Sequence, residues 1–192
     1  ADAVLVLGED ITHTAPRVAL ALRQSVRNKS FELAEQMGLP QWQDAAVRNL
    51  AQDQRSPLII VSAMETRLDD IASQCISLAP DQIAEFAVSI VEALAGEPSS
   101  NKQANQIAEI LQSAKNPLII SGTSMVHWGI VNAAVAIAES LCTEPSGCML
   151  SLCIPEANSL GVALLADKSS PSLPDLVNSP PEVLLVVEND LQ

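Results

Sequence analysis

Ala3-Val4-Leu5-Val6-Leu7, closed by Gly8-Glu9-Asp10, is the stretch that decides the fold. Five aliphatic residues with no polar alternation describe a strand buried on both faces, as in a parallel sheet covered by helices. A helix is expected next. Thr14 offers a capping hydroxyl and Pro16 suits a first turn, while Val18, Ala21, Leu22 and Val26 share one helical face up to about Arg27.

The same grammar recurs along the chain. Helical stretches are expected over Phe31–Met37 and Gln41–Ala51, separated by Gly38-Leu39-Pro40. Pro57-Leu58-Ile59-Ile60-Val61 reads as a second strand, with a short helix at Thr66–Ala72 and a strand at Cys75–Leu78. Pro80-Asp81 opens a helix through Ile83, Phe86, Ile90 and Leu94. Gly96-Glu97-Pro98-Ser99-Ser100-Asn101 reads as a linker. Beyond it come a helix through Ile107, Ile110 and Leu111, a strand at Pro117–Ser121, and a helix to about Leu141. Cys148–Cys153 and Glu182–Val187 complete the expected strands, and Ala166–Pro181, rich in Pro and Ser, reads as a loop.

Two echoes support a repeated unit: Ser56-Pro-Leu-Ile-Ile60 returns as Asn116-Pro-Leu-Ile-Ile120, and Asp2–Asp10 is paralleled by Glu182–Asp190. Strand–helix alternation around continuous aliphatic strands implies an α/β fold, a parallel sheet in three α-β-α layers built of nucleotide-fold-like units. A division into residues 1–96 and 97–192 is expected at the linker, the second unit being cut short at its end.

Composition narrows the function. The chain has 192 residues, and 10 Lys+Arg against 23 Asp+Glu leave a net charge of −13. That balance opposes nucleic acid and anionic membranes, both of which need clustered cations. Aromatics are 2% of residues, too few for a stacking platform, whereas an apolar share of 48% provides a core. No run approaches the length of a membrane span, and no basic segment leads an apolar one at the start. Because core-like runs stand at both ends, the sequence reads as a piece of a longer polypeptide.

Cys75, Cys142, Cys148 and Cys153 lack C-x-x-C spacing, and His13 and His127 lie far apart. Metal ligation needs several such groups converging on one point, so the cysteines read as small apolar core thiols of a reducing compartment and no metal ligand is expected. No Ser/His/Asp or Cys/His set is defensible, the histidines reading as capping or solvated residues. Asp69-Asp70 reads as a solvated face rather than an acid–base pair. Met64, Met125 and Met149 read as gap fillers.

Ligands of parallel sheets bind beyond the carboxyl ends of the strands, so three turns matter. Gly8-Glu9-Asp10-Ile11-Thr12-His13-Thr14 has one glycine instead of the G-x-G-x-x-G set, and its two acids repel phosphate. Val61-Ser62-Ala63-Met64 offers a serine where a ribose- or guanine-reading carboxylate belongs. Ser121-Gly122-Thr123-Ser124 is the best anion cradle, with small hydroxyls around a glycine, although such hydroxyls more often cap helices.

Three stretches together carry a resemblance: Ala1–Asp10 with Thr14–Gln24, Trp42-Gln43-Asp44-Ala45-Ala46, and Thr66-Arg67-Leu68-Asp69-Asp70-Ile71-Ala72. They resemble the molybdopterin-oxidoreductase-like part of the G subunits of bacterial NADH:quinone oxidoreductases, respiratory complex I. The likeness is strongest over about residues 1–95 and looser, in the same order, to 192. It implies a fold of the molybdopterin oxidoreductase type, whose wider family holds bis-molybdopterin guanine dinucleotide between α/β subdomains. The family turn Gly-(Ser/Ala)-Asn is matched by Gly8 but not by Glu9 and Asp10, and the family's Asp-Pro-Arg is replaced by Ser62-Ala63-Met64. The resemblance therefore implies a structural domain with the cofactor site lost and no catalytic, cofactor-binding or metal residue. It further implies iron–sulfur clusters elsewhere in the full-length protein, partners in the peripheral arm, and a place at the cytoplasmic face of the inner membrane without insertion into it. Two other readings are an active molybdenum oxidoreductase and a small-anion module at Ser121–Ser124.

Overall fold

The computed structural model describes all residues except 98, 143–146, 155, 167–169, 172 and 187–192. Chain contacts divide it into two units, Ala1–Pro155 and Glu156–Gln192. In the first unit the strands are β1 (Ala3–Leu7), β2 (Leu58–Ser62), β3 (Gln74–Ser77), β4 (Pro117–Gly122) and β5 (Met149–Cys153). Its helices are α1 (Ile11–Thr14), α2 (Pro16–Ser25), α3 (Asn28–Gln36), α4 (Asp44–Ala51), α5 (Pro80–Leu94), α6 (Lys102–Ser113) and α7 (Trp128–Leu141). The strands form one parallel sheet in the order β3-β2-β1-β4-β5, so strands from both sides of the 96–101 segment share it.

The aliphatic reading of β1 is met in full, as all five residues are buried. Alternate side chains serve opposite faces. Leu5 and Leu7 join Ile59, Ile83, Ile90, Ile107, Ile119 and Ile137 in one core layer. Val4 and Val6 join Ile11, Leu22, Leu58, Ile60 and Ile120 in the other. Helices on both faces of a parallel sheet make the three-layer α/β architecture expected from sequence.

Several local expectations change. Thr14 does not cap α2; Ala15 occupies that position with no side-chain bond, Pro16 leads the helix, and the Thr14 hydroxyl donates to the Asp10 carbonyl. Asp10 instead caps α1, its carboxylate accepting from the Thr12 amide at 3.0 Å. Residues 67–71 form turns and not a helix: Leu68 is sunk into the core, Ile71 and Ala72 pack half-buried beside it, and the Thr66 hydroxyl donates to the Asp69 carboxylate.

The second unit holds α8 (Ser159–Leu165) and α9 (Leu173–Asn178), the latter inside the stretch expected to be a loop. Residues 182–186 are irregular and exposed, not the expected strand; Val187 and the acidic end lie outside the described residues.

Candidate functional site

The sheet order reverses between β1 and β4, with β2 and β3 on one side and β5 on the other. Such a switch point opens a crevice beyond the carboxyl ends of the strands. Three sequence features meet there. β1 is followed by Gly8 and Glu9, β4 ends in Ser121 and Gly122, and the turn after it brings Thr123 and Ser124.

Gly8 lies in the left-handed region at φ +65°, and a Cβ on it would stand 2.8 Å from Cγ2 of Ile130 on α7. A side chain is disfavoured there by both backbone and neighbour. The turn aims Glu9 inward. Its side chain is 0% exposed, and its carboxylate accepts from the Ser124 hydroxyl at 2.6 Å and the Ser124 amide at 3.4 Å. Gly122 leaves room for it, since a Cβ would overlap Oε2 of Glu9 and lie 2.7 Å from the Cys153 carbonyl oxygen. Ser121 turns away, its hydroxyl donating to the Leu7 carbonyl at 2.9 Å.

The expected anion cradle at Ser121–Ser124 is thus faced by a carboxylate 115 residues earlier in the chain. Adjacency of β1 and β4 makes that meeting possible, and sequence spacing carries no sign of it. A guanine dinucleotide pyrophosphate does not fit this arrangement. Its oxygens would meet a buried carboxylate in a setting that screens charge poorly. At the end of β2, the Ser62 hydroxyl accepts from the Met64 amide at 3.3 Å and supplies no carboxylate for a ribose or base.

The remaining candidates do not converge on the crevice. His13 lies 3.6 Å from the Asp10 carboxylate on the surface. His127 caps α7 without a side-chain bond to it, and its Nε2 sits 3.1 Å from Asp81 at the start of α5. Asp69 accepts from the Thr66 hydroxyl, whereas Asp70 takes a two-pronged bond from Arg23, so the pair has no joint chemistry. That Arg23 fork holds the Asp70 carboxyl below the usual carboxylate range.

Two readings of individual side chains are corrected. Met64 and Met149 are exposed and fill no gap, because both stand at the rim of the sheet. Among the cysteines Cys153 is buried, while Cys75 and Cys142 are exposed and Cys148 is intermediate. Burial pushes the Cys153 thiol up, with the Glu9 charge adding to it and a bond with Thr14 opposing it. A thiol held protonated is a poor nucleophile and a poor ligand. Among the described residues, no group of three or more His, Cys, Asp or Glu is placed to hold a metal ion. No described helix is long and apolar enough to cross a membrane.

What sequence reasoning missed is the turn that leads into α7. Val126 is a β-branched residue at φ +50° and is 88% exposed, and Trp128 is 75% exposed. A conformation that disfavours β-branched side chains is a local cost, held here by the Val126 amide donating to the Thr123 carbonyl at 2.9 Å.

No protein-family model matches the chain. Among characterised proteins it is similar to the G subunit of NADH-quinone oxidoreductase from Pseudomonas fluorescens, at 43% identity over 99% of this chain and 22% of that protein. The protein of the same name from Shewanella oneidensis is 42% identical over 100% of the chain, and that of Escherichia coli K12 is 35% identical over 99%. The chain spans about a fifth of the length of these relatives, 22% in each case. Over nearly its whole length, at 35% to 43% identity, the chain is homologous to one segment of the G subunit of NADH-quinone oxidoreductase.

Proposed function

We propose that this chain is a cofactor-free structural domain of a complex I G subunit, supporting electron transfer from NADH to quinone without contributing a catalytic, cofactor-binding or metal residue. The iron–sulfur clusters belong to other parts of the full-length protein. Its partners are other subunits of the peripheral arm, in a membrane-associated complex whose arm faces the cytoplasm. The observation that carries the reading is the fully enclosed Glu9 carboxylate at the switch point, in a chain homologous to complex I G subunits over nearly its whole length. Where the wider fold places a phosphate-bearing cofactor, this chain places its own negative charge.

The test is a titration of the full-length protein with molybdopterin guanine dinucleotide, together with metal analysis of the purified protein. The expected outcome is no saturable binding and no molybdenum. About one molybdenum per chain, the stoichiometry of a single resident site, would sink the reading and favour an active molybdenum oxidoreductase.

A further inference from the structure

The crevice between β1 and β4 carries an inference that deepens this role. We propose that Glu9 is an internal ligand, whose carboxylate occupies the place that a small oxyanion would otherwise take between Gly122 and Ser124. Three observations converge on it. The first is position: Glu9 follows β1 directly, and Ser124 follows β4, at the point where the strand order reverses. Crevices of α/β sheets take their ligands at that point.

The second is the kind of partner. Ser124 presents a hydroxyl at 2.6 Å and a backbone amide at 3.4 Å to the two oxygens of one carboxylate. A hydroxyl and an amide offered together are the donors that receive a phosphate or carboxylate oxygen from outside. The neighbouring acid does not compete, because the Asp10 carboxylate turns to the amide and hydroxyl of Thr12. The third is reserved volume. A Cβ on Gly122 would overlap the Glu9 carboxylate and crowd the Cys153 carbonyl, so the missing side chain makes the space that the carboxylate fills.

An internal ligand satisfies the cradle and closes it in one step. A second anion entering beside Glu9 would face a like charge with little water between them. Cutting the side chain back removes that charge and leaves a hollow lined by the same donors. The vacated position then accepts small oxyanions, of which formate, a carboxylate without its chain, is the simplest probe. This inference rests on the cofactor-free reading only in taking the native crevice to hold no ligand from outside.

Hydrogen exchange read by mass spectrometry on peptides covering residues 121–128 follows the site locally in the full-length protein. Glu9→Ala is expected to quicken exchange there about tenfold, the loss of bonds to one charged group. Formate at about 100 mM, compared with chloride at equal ionic strength, is expected to slow it again about threefold or more. Wild type and Glu9→Gln, which keep the volume filled, should not respond to formate. Should Glu9→Ala fail to fold in chloride, folding recovered by formate supports the proposal, and equal failure in both salts overturns it. An equal response of wild type and Glu9→Ala also overturns it. Binding of molybdopterin guanine dinucleotide by the wild type would end the cofactor-free reading, a result that the formate comparison neither requires nor imitates.

Discussion

Asp2 and Glu9 stand just outside opposite ends of β1, and each reaches sideways to the chain flanking β4. Asp2 accepts from the backbone amides of Lys115 and Asn116, both at 2.8 Å, just before β4 begins. Glu9 accepts from the amide and hydroxyl of Ser124, just after β4 ends. Both carboxylates therefore clip the same two central strands. They differ in access to water. Asp2 is partly exposed on the wall of an open cleft of about 560 Å³ that also includes Lys29, Arg55 and Lys115, whereas Glu9 is fully enclosed. Water can replace the Asp2 carboxylate at the amino end. At the carboxyl end the Glu9 side chain is shut off from solvent, so the two bonds it accepts there carry more weight than the two that Asp2 accepts.

The largest effect should come from the closed end. Glu9→Ala leaves an empty polar hollow and deprives the Ser124 donors of their partner, at a cost of about 3 kcal/mol. Equilibrium denaturation with urea reads it as a lower midpoint at an unchanged slope. A loss below about 1 kcal/mol, the scale of a solvent-exposed pair, would erase the distinction between the two ends.

Next in size is Gly122→Ala, expected to cost about 2 kcal/mol through crowding of Glu9 and the Cys153 carbonyl. Joining it to Glu9→Ala sharpens the comparison. If the carboxylate is the main obstacle, the double variant should be about 1 kcal/mol more stable than the sum of single losses predicts. Strict additivity would instead point to the Cys153 carbonyl as the obstacle, and Glu9 would lose its special place.

Much of this was open to sequence reading. β1, β2 and β4 announce themselves by aliphatic runs without polar alternation, since strands buried on both faces have no solvent side to mark. The same signal finds the strand β5 but not its exposure, since Met149 and Leu152 lie open, and at residues 182–186 no strand forms. An apolar run states a demand for burial without naming what will bury it. The site was half legible. Gly8 marks a strand-ending turn, and Ser121, Gly122 and Ser124 mark a turn with anion-binding chemistry. The acidic Glu9 reads as a deterrent to phosphate until the strand order places it against Ser124, and strand order is a long-range property that local patterns do not contain. Thr14 shows a limit of another kind. Its hydroxyl could cap α2 on sequence grounds, yet Asp10 holds the preceding turn and the carbonyl of that residue takes the hydroxyl instead.

The smallest expected effect belongs to the open end and is read through pH. Burial pushes the Asp2 carboxyl up, but the amides of Asn116 and Lys115 outweigh it and hold the group below its usual value of 3.8. A carboxyl that is harder to protonate when folded stabilises the fold at pH values above the unfolded value, and the contribution is lost as pH falls through the folded one. Asp2→Asn keeps the shape and an accepting oxygen but removes the charge. Near pH 6 it should lower stability by about 1 kcal/mol, a figure set by bonds to backbone amides and reduced for screening at a partly exposed site. From about pH 4 downward the difference between wild type and Asp2→Asn should narrow, because the unfolded chain's carboxyl takes up its proton first, and it closes as pH falls through the lower folded value. Paired urea midpoints at about pH 6 and about pH 3 measure this directly. A gap that stays constant between them would mean that the charge of Asp2 contributes nothing, and that its hold on β4 is a neutral hydrogen-bonding clip rather than an ionic one.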